Sequence, residues 1–187
     1  MSKLHQFIIA LALVAFVIVM RLVPHPANVA PVAAAALFAG AYLSKRWAFT
    51  VPVIAMLVSD MVIGFYEPAV MLSVYACLVF SSVLGSYTLS LRGARRATRQ
   101  SRSLAVIVLA TLTGSITFFI VTNFAVWAAS SWYPHTLAGF LENYTLALPF
   151  FRNTLLGDLF FAGVFFGVAE VVFAFTSRYK KEPVASV

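Results

Sequence analysis

Charge is scarce in this 187-residue chain: only 10% of residues are Asp, Glu, Lys or Arg, against 62% hydrophobic ones. A water-soluble domain carries about 25% charged residues because it must hydrate its outside, so an ordinary cytosolic enzyme and a disordered tail are both excluded. Acidic charge is scarcer still, with 6 Asp or Glu against 13 Lys or Arg and a net charge of +7. That excess does not make a nucleic-acid binder, since there is no soluble core for basic residues to decorate. A single cysteine, Cys77, lies in the apolar run 70–83, where it can form no internal disulfide and no metal site. The chain also lacks GxxxxGK[ST], a GxGxxG after a strand, HExxH and GxSxG, so no recognised phosphate loop, zinc protease or hydrolase elbow is present. No cofactor and no catalytic residue is expected.

What is present is apolar length. A bilayer span needs about 20 mostly apolar residues, and in lipid the backbone must satisfy its own hydrogen bonds, which makes helices the default. Six segments qualify: 4–23, 29–43, 48–65, 69–91, 104–129 and 153–177. The expectation is an all-α polytopic membrane protein, a single domain of six transmembrane helices. The second segment is short and opens on Pro24-His25-Pro26-Ala27-Asn28, where two prolines stop one helix from running into the next, so a re-entrant or tight outer loop is expected there. Lys3 before an apolar stretch also suits a signal peptide. No small-x-small cleavage site follows that stretch before Arg21 and the Pro-rich turn, and a retained span is expected.

Orientation follows from Lys and Arg, which short cytoplasmic loops retain. Lys3, Lys45, Arg46, the loop 92–103 with its five arginines, and Arg178, Lys180 and Lys181 fall on one side; only Arg21 and Arg152 fall on the other. Both termini are therefore expected in the cytoplasm, in the bacterial inner membrane. The Arg-rich loop is expected to rest on acidic lipid headgroups, a membrane-lipid contact that sets topology, rather than on nucleic acid.

Ionisable side chains inside spans are costly, tend to face a protein interior or a cavity, and mark function. Arg21, His25 and Asn28 cluster at the outer end of span one, Asp60 lies near the outer end of span three, Asn123 and Trp127 near that of span five, and Arg152, Asn153 and Asp158 open span six. These nine are the candidate binding residues, and their common depth implies one shared outer site. Mutually paired structural ions at the headgroups are the plainer reading of Arg21, Arg152, Asp60 and Asp158. Glu170 stands apart, deeper in span six. In the outer segment 130–152, Leu137, Phe140, Leu141, Tyr144 and Leu148 recur at helical spacing with Glu142 and Asn143 off the stripe, predicting a short amphipathic surface helix ended by Pro149 that either covers a cavity mouth or floats at the interface. Alanines of span two and the Gly163-x-x-x-Gly167 pattern of span six predict close helix packing.

The stretch Asn28-Val-Ala-Pro-Val-Ala-Ala-Ala-Ala-Leu-Phe-Ala-Gly-Ala41, the later Ser59-Asp60 and Gly64, and Leu148-Pro-Phe-Phe-Arg-Asn-Thr-Leu-Leu-Gly-Asp158 together resemble the substrate-binding S components of energy-coupling factor (ECF) transporters, or a small uncharacterised family related to them. The chain departs from that pattern where Ser44-Lys45-Arg46-Trp47 replaces a Gly-Pro turn, and where span one offers Ala10, Ala12 and Ala15 instead of an AxxxA docking ladder. The resemblance implies capture of a vitamin-like or zwitterionic small-molecule substrate in an outer pocket, with an ECF coupling subunit and ATPases as partners. It also implies ligand contacts from Asn28, Asp60, Arg152, Asn153 and Asp158, with Arg21 and His25 nearby. The rival expectation is a structural or scaffolding membrane protein. An intramembrane enzyme using His25 with Asp60 or Asp158 is disfavoured, because no paired nucleophile or metal triad is evident.

Overall fold

A computed structural model describes residues 2–93 and 99–179, and these are helical apart from turns and caps. The helices are α1 (Lys3–Leu22), α2 (Val32–Tyr42), α3 (Lys45–Ile63), α4 (Pro68–Gly93), α5 (Arg99–Ala129) and α6 (Leu137–Tyr179). All but α2 are long and apolar enough to cross a membrane. The Arg-rich segment expected as a loop over 92–103 is largely helical at its edges, since α4 runs to Gly93 and α5 starts at Arg99. Arg95, Arg96, Lys180 and Lys181 lie outside the described residues.

The architecture is a ring of five long helices around a short central one. Neighbours along the ring are α1, α3, α4, α5 and α6, and α2 touches all five. Phe16 of α1 closes the seam against Phe161 and Phe165 of α6, with ring centroids 6.3 and 5.7 Å apart. A helix apolar on every side belongs in an interior. Ala34, Ala35, Ala36 and Ala39 of α2 are accordingly buried. Contact with α4 is close because each helix offers a glycine to the other's backbone: a Cβ at Gly40 would collide with the Ser82 carbonyl, and one at Gly85 with the Leu37 carbonyl. The glycines expected to mark close packing in span six do not do so. Gly163 and Gly167 lie on the exposed side of α6 with no neighbour within contact of an added Cβ.

Two prolines lie inside helices, and the first shows how a freed backbone carbonyl is satisfied. Pro52 of α3 cannot donate to the Ala48 carbonyl one turn earlier, and in lipid an orphaned carbonyl costs several kcal/mol. Ser82 of α4 donates to that carbonyl at 2.8 Å. Pro149 was expected to end a surface helix; instead α6 continues through it to Tyr179. The first turns of α6 also do not float. Asn143, expected off the packing stripe, is buried and donates to the Asn123 carbonyl at 2.8 Å, and Tyr144 donates to the Ile120 carbonyl at 2.7 Å, while Leu137, Leu141 and Leu148 are exposed. Along a straight helix Tyr144 and Asp158 are about 21 Å apart, yet their partners Ile120 and Ser115 are only about 7.5 Å apart along α5. The opening turns of α6 therefore lie oblique to α5, and Pro149 falls in the interval where the direction changes.

α2 is the element that makes room for a site. Its 11 residues rise about 16 Å, roughly half of a hydrocarbon core of about 30 Å. The turn after α2 lies beside the first turns of α1, where the Ser44 N–H donates to Gln6 Oε1 at 3.1 Å and Phe7 packs on Trp47 at 5.7 Å. Tyr42 packs on Phe173 at 5.7 Å, so the start of α1 and the end of α6 share one end of the bundle. The rest of the traverse between α1 and α2 is made by the non-helical run 23–31, in which Asn28 adopts a positive φ of 63° and Pro31 caps α2. Irregular backbone at such a depth is tolerated where it is covered by protein or lines a cavity.

Candidate functional site

Above the N-terminus of α2 the ring has no central helix, and a cavity of about 310 Å³ occupies that space. Every other helix contributes a wall: Arg21 from α1, Met56 from α3, Val74 and Leu78 from α4, Phe118 from α5, and Thr154 and Asp158 from α6. Ala30, Val32 and Ala33 form the floor; His25 and Asn28 are exposed and, with the partly covered Tyr66, mark the mouth. Partial burial, aided by the Asp60 charge and opposed by that of Arg21, pushes the Tyr66 phenol up to about 12. The first N–H groups of a helix lack intrahelical partners and carry partial positive charge. In α2 no side chain caps them.

The sequence-predicted residues divide into separate groupings. The first joins Arg21 to Asp60. Arg21 Nη2 lies 2.8 Å from Asp60 Oδ1, Nη1 reaches the Ser59 hydroxyl and Met56 Sδ, and Tyr75 donates to Asp60 Oδ2 at 2.9 Å. The approach to Oδ1 is short but outside hydrogen-bond geometry, so the contact is ionic. Asp60 is 1% exposed and does not line the cavity, whereas the edge of Arg21 does. Here the plainer reading of mutually paired ions describes the geometry.

The second grouping is Asp158 with Ser115. Asp158 is 4% exposed, accepts from Ser115 at 2.7 Å through Oδ2, and faces the cavity floor. It is deeper than its expected place at the opening of span six, because α6 is one bent helix and Ser115 lies about 20 Å along α5 from Ala129. The remaining candidates are not brought to the cavity. Asn123 donates to the Phe119 carbonyl at 2.7 Å, Trp127 to the Pro134 carbonyl at 3.1 Å, and Asn153 to the Ala27 carbonyl at 3.1 Å, while Arg152 is exposed. His25 touches the Val23 carbonyl at 2.6 Å. The segment 137–148, for which covering the mouth is one of the two expected places, contributes no lining residue. Glu170 lies on the exposed side of α6.

Sequence reasoning did not reach Tyr66, Met56, Phe118 and Thr154 as lining residues. One signal was available for the partner of Asp158: Thr111 and Ser115, one turn apart on α5, form a polar face that needs a buried partner. Among the described residues no group of three or more His, Cys, Asp or Glu comes together to hold a metal.

Fold and site together define a helical protein with, among the described residues, five helices fit to cross a membrane, arranged about a half-length helix and a cavity with one buried carboxylate in its lining. The chain belongs to a family of unknown function, DUF6580, whose model matches residues 1–182. No curated protein and no solved structure matches it.

Proposed function

We propose that this protein is a membrane-embedded binding protein for uptake of a small polar solute, similar in working to an ECF S component. Both termini lie in the cytoplasm of a bacterial inner membrane and the cavity opens outward. The observation that carries the reading is the cavity itself, since its 310 Å³ is of small-molecule size and its one buried carboxylate lies beside an uncapped helix N-terminus. A half-length helix with an irregular lead-in is how transporters place backbone dipoles at a midplane site. The basic residues flanking α1, α3 and α6 support the orientation.

A zwitterionic solute suits this lining. Its carboxylate would meet the α2 N-terminus and the edge of Arg21, and its amine or hydroxyl donors would meet Asp158. An ECF coupling subunit and ATPases are the partners this reading calls for. The structural alternative is favoured by one observation, the self-satisfied Arg21, Asp60 and Tyr75 cluster, which needs no ligand.

The test is thermal stabilisation of the purified protein against a panel of vitamins, amino acids and amines, because a ligand at 100 times its Kd stabilises by about 2.7 kcal/mol. A hit that disappears in Asp158→Ala supports binding at the cavity floor. No hit across the panel, with uptake in cells unchanged by Asp158→Ala, favours the structural alternative.

A further inference from the structure

Behind the cavity floor is a second, much smaller space. It has room for a single water-sized sphere, about 10 Å³, and is lined by Ala33, Leu37, Ser81, Thr111, Ser115 and Asp158 among others. Ser81, Thr111, Ser115 and Asp158 are each at most 5% exposed. Gly114 leaves the space open on the α5 side, where an added Cβ would lie 3.3 Å from Ser81 Oγ, so that hydroxyl faces α5 across the crevice.

The protons of these hydroxyls are already committed. Ser81 donates to the Cys77 carbonyl at 3.1 Å and Thr111 to the Ile107 carbonyl at 2.9 Å, one turn back along their own helices. A hydroxyl has one proton and two lone pairs, so each presents only lone pairs to the crevice. Ser115 has two acceptors for its one proton, Asp158 Oδ2 at 2.7 Å and the Thr111 carbonyl at 3.0 Å. Among the described residues no donor reaches Asp158 Oδ1, and Asp158 borders both spaces. The side chains of the crevice are thus a buried set of oxygen acceptors around one carboxylate, and among the described residues no side-chain donor other than Ser115 is directed at it.

We propose that this crevice binds a small monovalent cation, Na⁺, held by Asp158 with the hydroxyl oxygens of Ser81, Thr111 and Ser115. Oxygen acceptors of this kind select a hard cation. One carboxylate neutralises one positive charge, whereas a divalent ion would leave a net charge buried in a low-dielectric interior, which is expensive. The space admits a single bare ion, and Na⁺, which is smaller than a water, fits within one water-sized sphere. Ser115 donates to Asp158 Oδ2, and Na⁺ fills the crevice on the lone-pair side of the three hydroxyls. The other ionisable groups around the larger cavity are Arg21, His25 and Tyr66; Asp158 is the one that borders the crevice. Because Asp158 is shared, ion occupancy sets the charge that a solute meets at the cavity floor. The cation site does not depend on the uptake reading, and it locates a coupling ion beside the proposed solute cavity.

The test is thermal unfolding of the purified full chain in NaCl, KCl and choline chloride at equal ionic strength, with ²²Na⁺ binding measured in parallel. The expected result is a saturable, Na⁺-selective rise in Tm. Thr111→Val and Ser81→Ala, which touch the crevice and not the larger cavity, should each weaken Na⁺ binding about tenfold, an effect of about 1.4 kcal/mol. Asp158→Asn should abolish it. Equal stabilisation by the three salts with no ²²Na⁺ retained by the wild-type chain overturns the proposal, leaving the crevice to a water. Na⁺ binding unaltered by Thr111→Val, Ser81→Ala and Asp158→Asn places the ion elsewhere and overturns it too. A solute hit without Na⁺ binding rejects the cation site alone; Na⁺ binding without any solute hit rejects the uptake reading alone.

Discussion

Breaking the Arg21 and Asp60 pair should cost far more than either residue contributes by itself. Asp60 is 1% exposed and Arg21 15%, at 2.8 Å, with Tyr75 and Ser59 as the remaining polar contacts. Replacing one member of a buried pair leaves an uncompensated charge and costs about 3–5 kcal/mol, while replacing both by apolar groups of similar volume is near neutral. Arg21→Met strands the Asp60 carboxylate with Tyr75 as its one strong donor, and Asp60→Leu strands the guanidinium beside Met56 and Ser59. Each single variant should lose about 3 kcal/mol, and Arg21→Met with Asp60→Leu should recover at least about 2 kcal/mol of the summed loss. The assay is equilibrium denaturation in mixed micelles, read as a double-mutant cycle. If the two single losses add to within about 0.5 kcal/mol, the pair is uncoupled and the structural reading of this cluster is wrong.

Other expectations follow from the packing. Ser82→Ala leaves the carbonyl freed by Pro52 without its donor and should destabilise by about 1–2 kcal/mol in the same assay, with Ser86→Ala, an exposed control, near zero. Gly40→Val should lose about 2 kcal/mol or more, because the added atoms meet the Ser82 backbone, which cannot move aside cheaply. Gly163→Ala and Gly167→Ala meet nothing in the chain and should each gain up to about 1 kcal/mol from helix propensity, measured as denaturation midpoints. Tyr66 ionises in the folded protein only near pH about 12, against 10 in the unfolded chain, so the fold binds the extra proton between those values. Stability should therefore decline as pH rises from about 10 to 12, and Tyr66→Phe should flatten that decline.

The helices were legible in the sequence because hydropathy and the bilayer's thickness leave few alternatives; α1, α3 and α5 begin or end close to where apolar runs change to polar ones. The half-length of α2 was legible in part. Pro24 and Pro26 announce that its traverse is broken, but only the surrounding ring shows that the missing half is a cavity. The depth of Asp158 was not legible, because Pro149 reads as a helix end in isolation and is carried through when neighbouring turns of α6 are anchored to α5 by Asn143 and Tyr144. The same anchoring reverses the expected face of the segment: in lipid the leucines face outward and Asn143 inward, the opposite of an interfacial helix. Gly163 and Gly167 show the converse limit, since a spacing that permits close approach does not say that another helix approaches.

A common depth for polar residues suggested one site, and the geometry divides them by pairing. Arg21 and Asp60 satisfy each other at the rim of the cavity, Asn123 and Asn153 satisfy backbone carbonyls, and Asp158 is left with an oxygen free at the floor. A linear sequence carries depth but not azimuth, so it cannot separate a carboxylate that faces a guanidinium from one that faces a cavity.

The most direct measurement of the central claim, an outward-open cavity above a half-length helix, is cysteine accessibility in intact cells. Cys77, buried in α4, is first replaced by alanine to give a cysteine-free background. Asn28→Cys at the mouth and Ala33→Cys at the floor should both react with a membrane-impermeant thiol reagent added outside, while Ala36→Cys, fully buried one turn further along α2, should not. Reaction of Asn28→Cys alone, or of Ala33→Cys only in inverted vesicles, would contradict the account.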